Sequence, residues 1–278
     1  MFTVFVEARY GLDFAGQSWK IQRFKNFSEH GLVDSGLLFK RLSPPEISGC
    51  ESKVISTIQT TSRNLAMPNF RQLGPDDLTA AFDAIDQWFL NGAMRKAAIQ
   101  PSVTLDFRLA KRMTHTGGTT AFRKRNGKRF FEISIAPRVI HETFQAVDKA
   151  LVCGLECEDM RMALVRIMQH EMIHLAEFLC WGDSSCNANR FREIVLGLFG
   201  HTESRHRMLT PAERSRLTHQ LGPGDRVVFS FEGKQMKGVV NRINKRATVL
   251  VPSSNGRRYS DGGVYVRYYV PLNQLNRE

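Results

Sequence analysis

Hydrophobic and polar positions divide the chain into three stretches with different periods. Through residue 74 no period is sustained. Phe2 to Glu7 alternates briefly like a strand, and Gly, Ser, Asn and Pro interrupt the rest up to Ser43-Pro-Pro. This stretch, 1–74, carries no motif and forms an unassigned N-terminal extension. From Pro75 the period turns helical. Asp76 and Asp77 occupy a first turn, where the helix dipole favours acids. Leu78, Phe82, Ile85, Trp88 and Phe89 then recur three or four apart. After Pro101 the spacing changes to two, so Val103–Phe107 and Thr119–Arg123 read as strands. Asn126-Gly127, set between Phe122 and Phe130-Phe131, predicts a tight hairpin with Arg123, Lys124, Arg125, Lys128 and Arg129 around its tip.

Helical spacing resumes from Pro137 to Val147 and again from Glu158-Asp159, where Met162, Val165, Ile167 and Met168 lead to His170. A polar break spans Asp183 to Asn187, a further helix runs from Arg190 to Leu198, and Gly200 ends it. Thr210-Pro-Ala-Glu213 is a capping box that starts a last helix reaching Leu221. Gly222-Pro-Gly-Asp marks a boundary. Beyond it come four short strands, Arg226–Phe231, Lys237–Ile243, Ala247–Val251 and Val264–Val270, with turns at Glu232-Gly233, Asn244-Lys245 and Asn255-Gly256. The expected fold class is α+β: a mixed domain over 75–221, then a small β-barrel over 222–278.

Composition narrows the setting. No apolar run approaches the ~20 residues of a membrane-spanning helix, so no membrane is expected as a partner. No basic n-region precedes Met1-Phe-Thr-Val-Phe-Val, and the odd count of five cysteines suits reduced thiols, so a cytoplasmic location is expected. A net charge of +12 favours a polyanionic partner, nucleic acid first.

The chemistry concentrates in His170-Glu171-Met172-Ile173-His174. Residues four apart share one helix face, so the two imidazoles can hold one ion, and Glu171 stands beside them as general base and acid. A catalytic zinc takes three protein ligands and keeps one open position. Cys186, just past the polar break, is the expected third ligand. His201 and His206 are alternatives, either as ligands or as donors to an oxyanion, and Asp183 is a further alternative ligand. The ordinary alternative for Cys186 is a small buried apolar residue.

HEMIH, the segment Ser184-Ser-Cys-Asn-Ala-Asn-Arg-Phe191 and Phe199-Gly-His-Thr-Glu-Ser-Arg-His206 resemble SprT-like zinc metallopeptidases over about Pro75 to Thr210. The Gly117-Gly118 pair between the strands belongs to the same likeness. The resemblance implies a zincin-like domain, Zn2+ as cofactor and a protein substrate, including proteins crosslinked to DNA. It also implies a site role for His206, which matches the histidine after the family's helix. The family's HGxxF histidine is absent, because Asn187-Ala-Asn-Arg-Phe191 stands in its place, and Cys186 is the substitute one residue earlier. The C-terminal Gly224-Asp-Arg-Val, Gly238-Val-Val-Asn-Arg and Tyr268-Tyr-Val-Pro are similar to SH3-like, KOW-type barrels.

From Gly222 onward the chain holds ten basic and four acidic residues, and Arg242, Lys245, Arg246, Arg257, Arg258 and Arg267 interleave with Tyr259, Tyr265, Tyr268 and Tyr269. Cations for phosphates and aromatic faces for bases suit a nucleic-acid surface. Cys153 and Cys157, placed at the start of a helix, are expected to be buried thiols, with a redox pair or a metal site as the alternatives, and Trp88 and Trp181 core aromatics, with Trp181 as an alternative cleft wall. The expected function is zinc-dependent endopeptidase. The competing expectation is a non-catalytic adaptor for nucleic acid or protein, whose metal site is structural and closed by four ligands.

Overall fold

The computed structural model describes residues 33–67 and 70–278; the alternation of Phe2 to Glu7 lies outside them. The chain is mixed α+β. Three N-terminal helices come first: α1 (Ser35–Leu38), α2 (Pro44–Thr61) and α3 (Arg63–Ala66). Sequence reading found no element here, yet Val33, Leu38, Val54, Ile58 and Leu65 are buried in one core with the helices and strands that follow. The part of the N-terminal extension from Val33 onward is therefore integral to that core. The overlooked signal is Ser43-Pro-Pro-Glu46. Glu46 Oε2 accepts from both the backbone N–H and the hydroxyl of Ser43 at 2.7 Å, closing a capping box at the start of α2. Ser43→Ala is expected to cost about 0.5–2 kcal/mol of stability, read by urea unfolding.

α4 (Pro75–Leu90) packs along α2 and buries Leu78, Phe82, Ile85 and Phe89 as its spacing predicts. Trp88 departs from expectation. It lies on the exposed side of the stripe, donates to Thr57 Oγ1 at 3.0 Å and carries Lys53 Nζ 4.8 Å above its ring. After α5 (Ala93–Ala98) come β1 (Val103–Leu109), β2 (Gly118–Arg125) and β3 (Lys128–Ile135). Their order is β1-β3-β2, with β1 parallel and β2 antiparallel to β3, so β2 is an edge strand. Asn126 and Gly127 both take positive φ (50° and 73°), the geometry a two-residue hairpin with a primed turn requires.

α6 (Pro137–Phe144) leads to a short hairpin, β4 (Ala150–Val152) and β5 (Leu155–Cys157). Cys153 and Cys157 thus sit in a hairpin rather than at a helix start. Both thiols are buried, and burial pushes the Cys157 thiol up to about 11. All five cysteines are free. α7 (Met160–Trp181) is the central helix: Asp159 caps its N-terminus, Gly182 ends it at φ 77°, and Ala163 to Ile173 are buried without interruption. A helix buried on all sides forms where several elements pack around it; here β2, α4, α6 and α8 (Asn189–Phe199) surround it.

α9 (Pro211–His219) introduces the C-terminal unit. There β6 (Arg226–Phe231), β7 (Lys234–Ile243), β8 (Ala247–Arg258), β9 (Val264–Val270) and β10 (Asn276–Arg277) form an antiparallel sheet in the order β10-β6-β7-β8-β9. Its separate core contains Val227, Phe229, Val240, Val249 and Leu221, with Ala212 packed against it. The two cores therefore divide before α9 rather than at Gly222, and Arg214 of α9 pairs back to Glu142 of α6 at 2.5 Å. Asn255-Gly256 is no turn: it lies in a bulge of β8, where Pro252 and Arg257 both oppose Tyr265. Among the described residues no helix is long and apolar enough to cross a membrane.

Candidate metal centre

One turn of α7 sets His170 and His174 on a common face, and their Nε2 atoms lie 3.1 Å apart. Cys186, from the loop between α7 and α8, brings its Sγ into the same group, with all three donor atoms within 4.8 Å of one another. Phe191 on α8 is fully buried and packs on both rings, with centroids 4.8 Å from His170 and 4.5 Å from His174. The loop and α8 together therefore supply the third donor and the wall behind the imidazoles.

A chain of hydrogen bonds orients His174. Ser184 Oγ donates to Glu177 Oε2 at 2.5 Å, which uses its single proton, so it accepts from His174 Nδ1–H at 2.7 Å. The lone pair of His174 then sits on Nε2, facing His170. Glu177 is fully buried; its other oxygen takes Arg190 Nε at 2.6 Å, and Arg190 also reaches Asp183. Trp181 is half-buried and packed against the core, as expected of a core aromatic, and Arg190 stacked 4.4 Å above its ring ties it to this ion pair as well. Burial, and then neighbouring imidazoles, hold the His170 pKa well below its ordinary value; burial also lowers that of His174, against the pull of Glu171 and Glu177. One buried and one partly buried imidazole, both resisting protonation, are suited to binding a cation.

Glu171 is buried beside the two imidazoles, and its carboxylate is held at both ends. Thr120 on edge strand β2 donates to Oε2 at 2.8 Å, and His206 Nε2 lies 2.9 Å from Oε1. Gly117 N–H donates to His206 Nδ1 at 3.2 Å, so the ring proton lies on Nε2 and points at Glu171. His206 therefore positions Glu171, and its proton is not directed at open space as an oxyanion donor's would be. This closeness depends on Gly117 and Gly118. A Cβ on Gly118 would come within 2.8 Å of Ile167 Cγ2 and 3.1 Å of Glu171 Cγ. The loop carrying His206 is tied down by the β4–β5 turn, where the Cys153 carbonyl accepts from Thr202 and Glu203 N–H.

His201 does not join the cluster. It is buried, its Nε2 meets Gln169 Oε1 at 3.1 Å, and burial drives its pKa down to about 3. His170, His174, Cys186, Glu171 and His206 are thus brought together, and His201 is not. Thr120, Glu177, Ser184 and Arg190 were not found from sequence. Of these only Glu177, an acid three residues beyond His174 in an apolar helix, left a local signal.

The basic residues of the C-terminal unit fall into two groups. Arg242, Lys245 and Arg246 lie at the β7–β8 end, and Arg257 and Arg258 beyond the β8 bulge. All five are exposed. Compared with protein-family models, with curated proteins and with solved structures, the chain matches none.

Proposed function

We propose that the chain is a zinc-dependent endopeptidase whose ligands are His170, His174 and Cys186. The observation that carries this reading is the convergence of two imidazole Nε2 atoms, 3.1 Å apart, and a thiol within one 4.8 Å group, next to a positioned carboxylate. Two nitrogens and one sulfur suit zinc, and the Ser184–Glu177 relay behind His174 is the kind of outer support that zinc ligands use. Bound there, zinc supplies a Lewis acid for the scissile carbonyl and for water. Glu171 accepts the proton of the attacking water and passes it to the leaving amine. His206 and Thr120 keep its carboxylate oriented through the reaction. Edge strand β2 begins beside Glu171 and has an open hydrogen-bonding side, on which an extended peptide can be laid as an added strand.

The likeness of HEMIH and its flanking segments to SprT-like metallopeptidases supports the same reading, with β1–β3 and α7 as the zincin-like elements. The C-terminal strand order, with a 3-10 turn at Leu272–Gln274 before the last strand, supports an SH3-like barrel. The adaptor alternative needs a fourth protein ligand. His201 is engaged by Gln169; His206 comes within ligand reach of His170 and Glu171, but both its nitrogens are engaged by Gly117 and Glu171, which supports an open position instead.

The test is cleavage of an unfolded protein by the zinc-loaded chain. Activity is expected to vanish on chelation and return with one equivalent of zinc, measured beside metal content. A chain that carries full zinc and cleaves nothing, with or without single-stranded DNA present, would leave the adaptor as the better account.

A further inference from the structure

Strand register gives the cationic surface of the C-terminal sheet a definite shape. Thr248 of β8 pairs with Arg242 of β7 on one side and with Tyr269 of β9 on the other. Two residues along β8, and so on the same face, Leu250 pairs with Val239 and with Arg267. The alternate positions Ala247, Val249, Val251 and Val270 belong to the inner core, while on the outer face Leu250 is covered by its neighbours and Arg242, Arg267 and Tyr269 are exposed. Arg242, Arg267 and Tyr269 therefore share the outer face, and the turn bearing Lys245 and Arg246 borders their row. Arg257 and Arg258 stand apart, opposite Tyr265 and Val264. Tyr265 is four residues from Tyr269, roughly 13 Å along the strand.

Tyr269 differs from its neighbours. Tyr268 turns inward onto Phe229 and Phe231, and Tyr259 and Tyr265 pair edge-to-face at 5.6 Å. Tyr269 stays 62% exposed. Charge on this face is not cancelled. Asp225 pairs with Arg216 and Arg277, Glu278 pairs with Lys237, and Asp261 accepts from the Tyr265 hydroxyl. Glu232 lies in the β6–β7 turn. Among the described residues no ion pair involves Arg242, Lys245, Arg246 or Arg267. An exposed ring flanked by uncompensated cations has the chemistry of a base-stacking platform beside phosphate contacts.

We propose that this outer face binds single-stranded nucleic acid, with a base stacked on Tyr269 and phosphates held by Arg242, Arg267, Lys245 and Arg246. Every base has a π-face, so binding tolerates sequence, whereas bases in a duplex are already stacked. The site uses no residue of the metal centre. It would hold a nucleic-acid-bound protein on the enzyme, and it stands or falls apart from the peptidase reading.

The experiment is fluorescence anisotropy of the full chain with labelled dT15, U15 and a matched duplex across about 50 to 200 mM salt. Single strands are expected to bind more tightly than duplex, with affinity falling as salt rises, and the dT15 and U15 arms assign DNA or RNA. Tyr269→Ala should weaken binding about 5- to 100-fold while Tyr269→Phe binds as wild type. Arg242→Glu with Arg267→Glu should weaken it and flatten the salt slope. Circular dichroism checks that each variant is folded. Four results would overturn the proposal: full affinity in Tyr269→Ala, equal affinity for duplex, salt-independent binding, or binding only to phosphatidylserine vesicles. So would an equal loss from reversing Lys124 and Arg125 at the exposed β2–β3 tip, which would mean diffuse attraction and no local site.

Discussion

Glu171→Gln is expected to retain zinc and fold while cleavage falls by about 100- to 10,000-fold, the usual contribution of a positioned general base. The hydrogen bonds explain why the fold should survive. His206 Nε2–H can donate to the glutamine oxygen as it does to Glu171 Oε1. Thr120 Oγ1 also lies 2.9 Å from the Glu171 backbone carbonyl, so its proton can turn there and the hydroxyl can accept from the new amide N–H. The glutamine oxygen and one of its amide N–H groups thus keep the partners of the carboxylate, and the variant loses the ability to take a proton. Rates and zinc content must be measured on the same samples. A variant with full zinc that cleaves at the wild-type rate would remove Glu171 from the chemistry.

Phe191→Ala carries the largest expected loss of stability. The ring is fully buried and forms the common wall behind His170 and His174. Removing a buried phenyl group costs about 3–5 kcal/mol, from lost transfer energy and from the cavity left behind. The loss should appear in urea unfolding of the metal-free chain, where zinc cannot mask it by mass action. The cavity would also let both imidazoles tilt, so zinc affinity should drop as well. Phe191→Leu, which refills much of the space, should recover most of both. An unfolding midpoint that does not move in Phe191→Ala would mean the site has collapsed around the gap, and that α8 is not what holds the imidazoles.

The features legible in the sequence are those set by local geometry. The i, i+4 spacing of His170 and His174 needs only a helix, and the apolar run around it announces a buried one. The hairpin at Asn126-Gly127, the capping box at Thr210 and the stop at Gly200 follow from turn and cap chemistry within a few residues. Cys186 stands out because it lies only twelve positions past His174, beyond an evident break. Legibility fails where periods are short or broken. β4 and β5 are three residues each, and α2 buries only Val54 and Ile58, too few for a clear stripe. Trp88 shows the complementary error: its spacing fits the apolar face, but Thr57, a partly buried polar partner on α2, holds its N–H at the edge of that face.

The same division runs through the candidate site. Spacing and composition are enough for the α+β alternation, for the paired imidazoles with their carboxylate, and for the cationic excess of the C-terminal strands. They do not choose between His201 and His206. Packing makes that choice, since Gln169 claims one and Gly117 with Glu171 claims the other, Gly117 reaching His206 across 89 positions of chain. Packing likewise places Thr120 on Glu171 and puts Tyr269, not Tyr268, on the outer face. These outcomes turn on which distant segments meet and on the direction each N–H and O–H must then point. Most buried polar groups find a partner in the folded chain, and no local period encodes which one it will be.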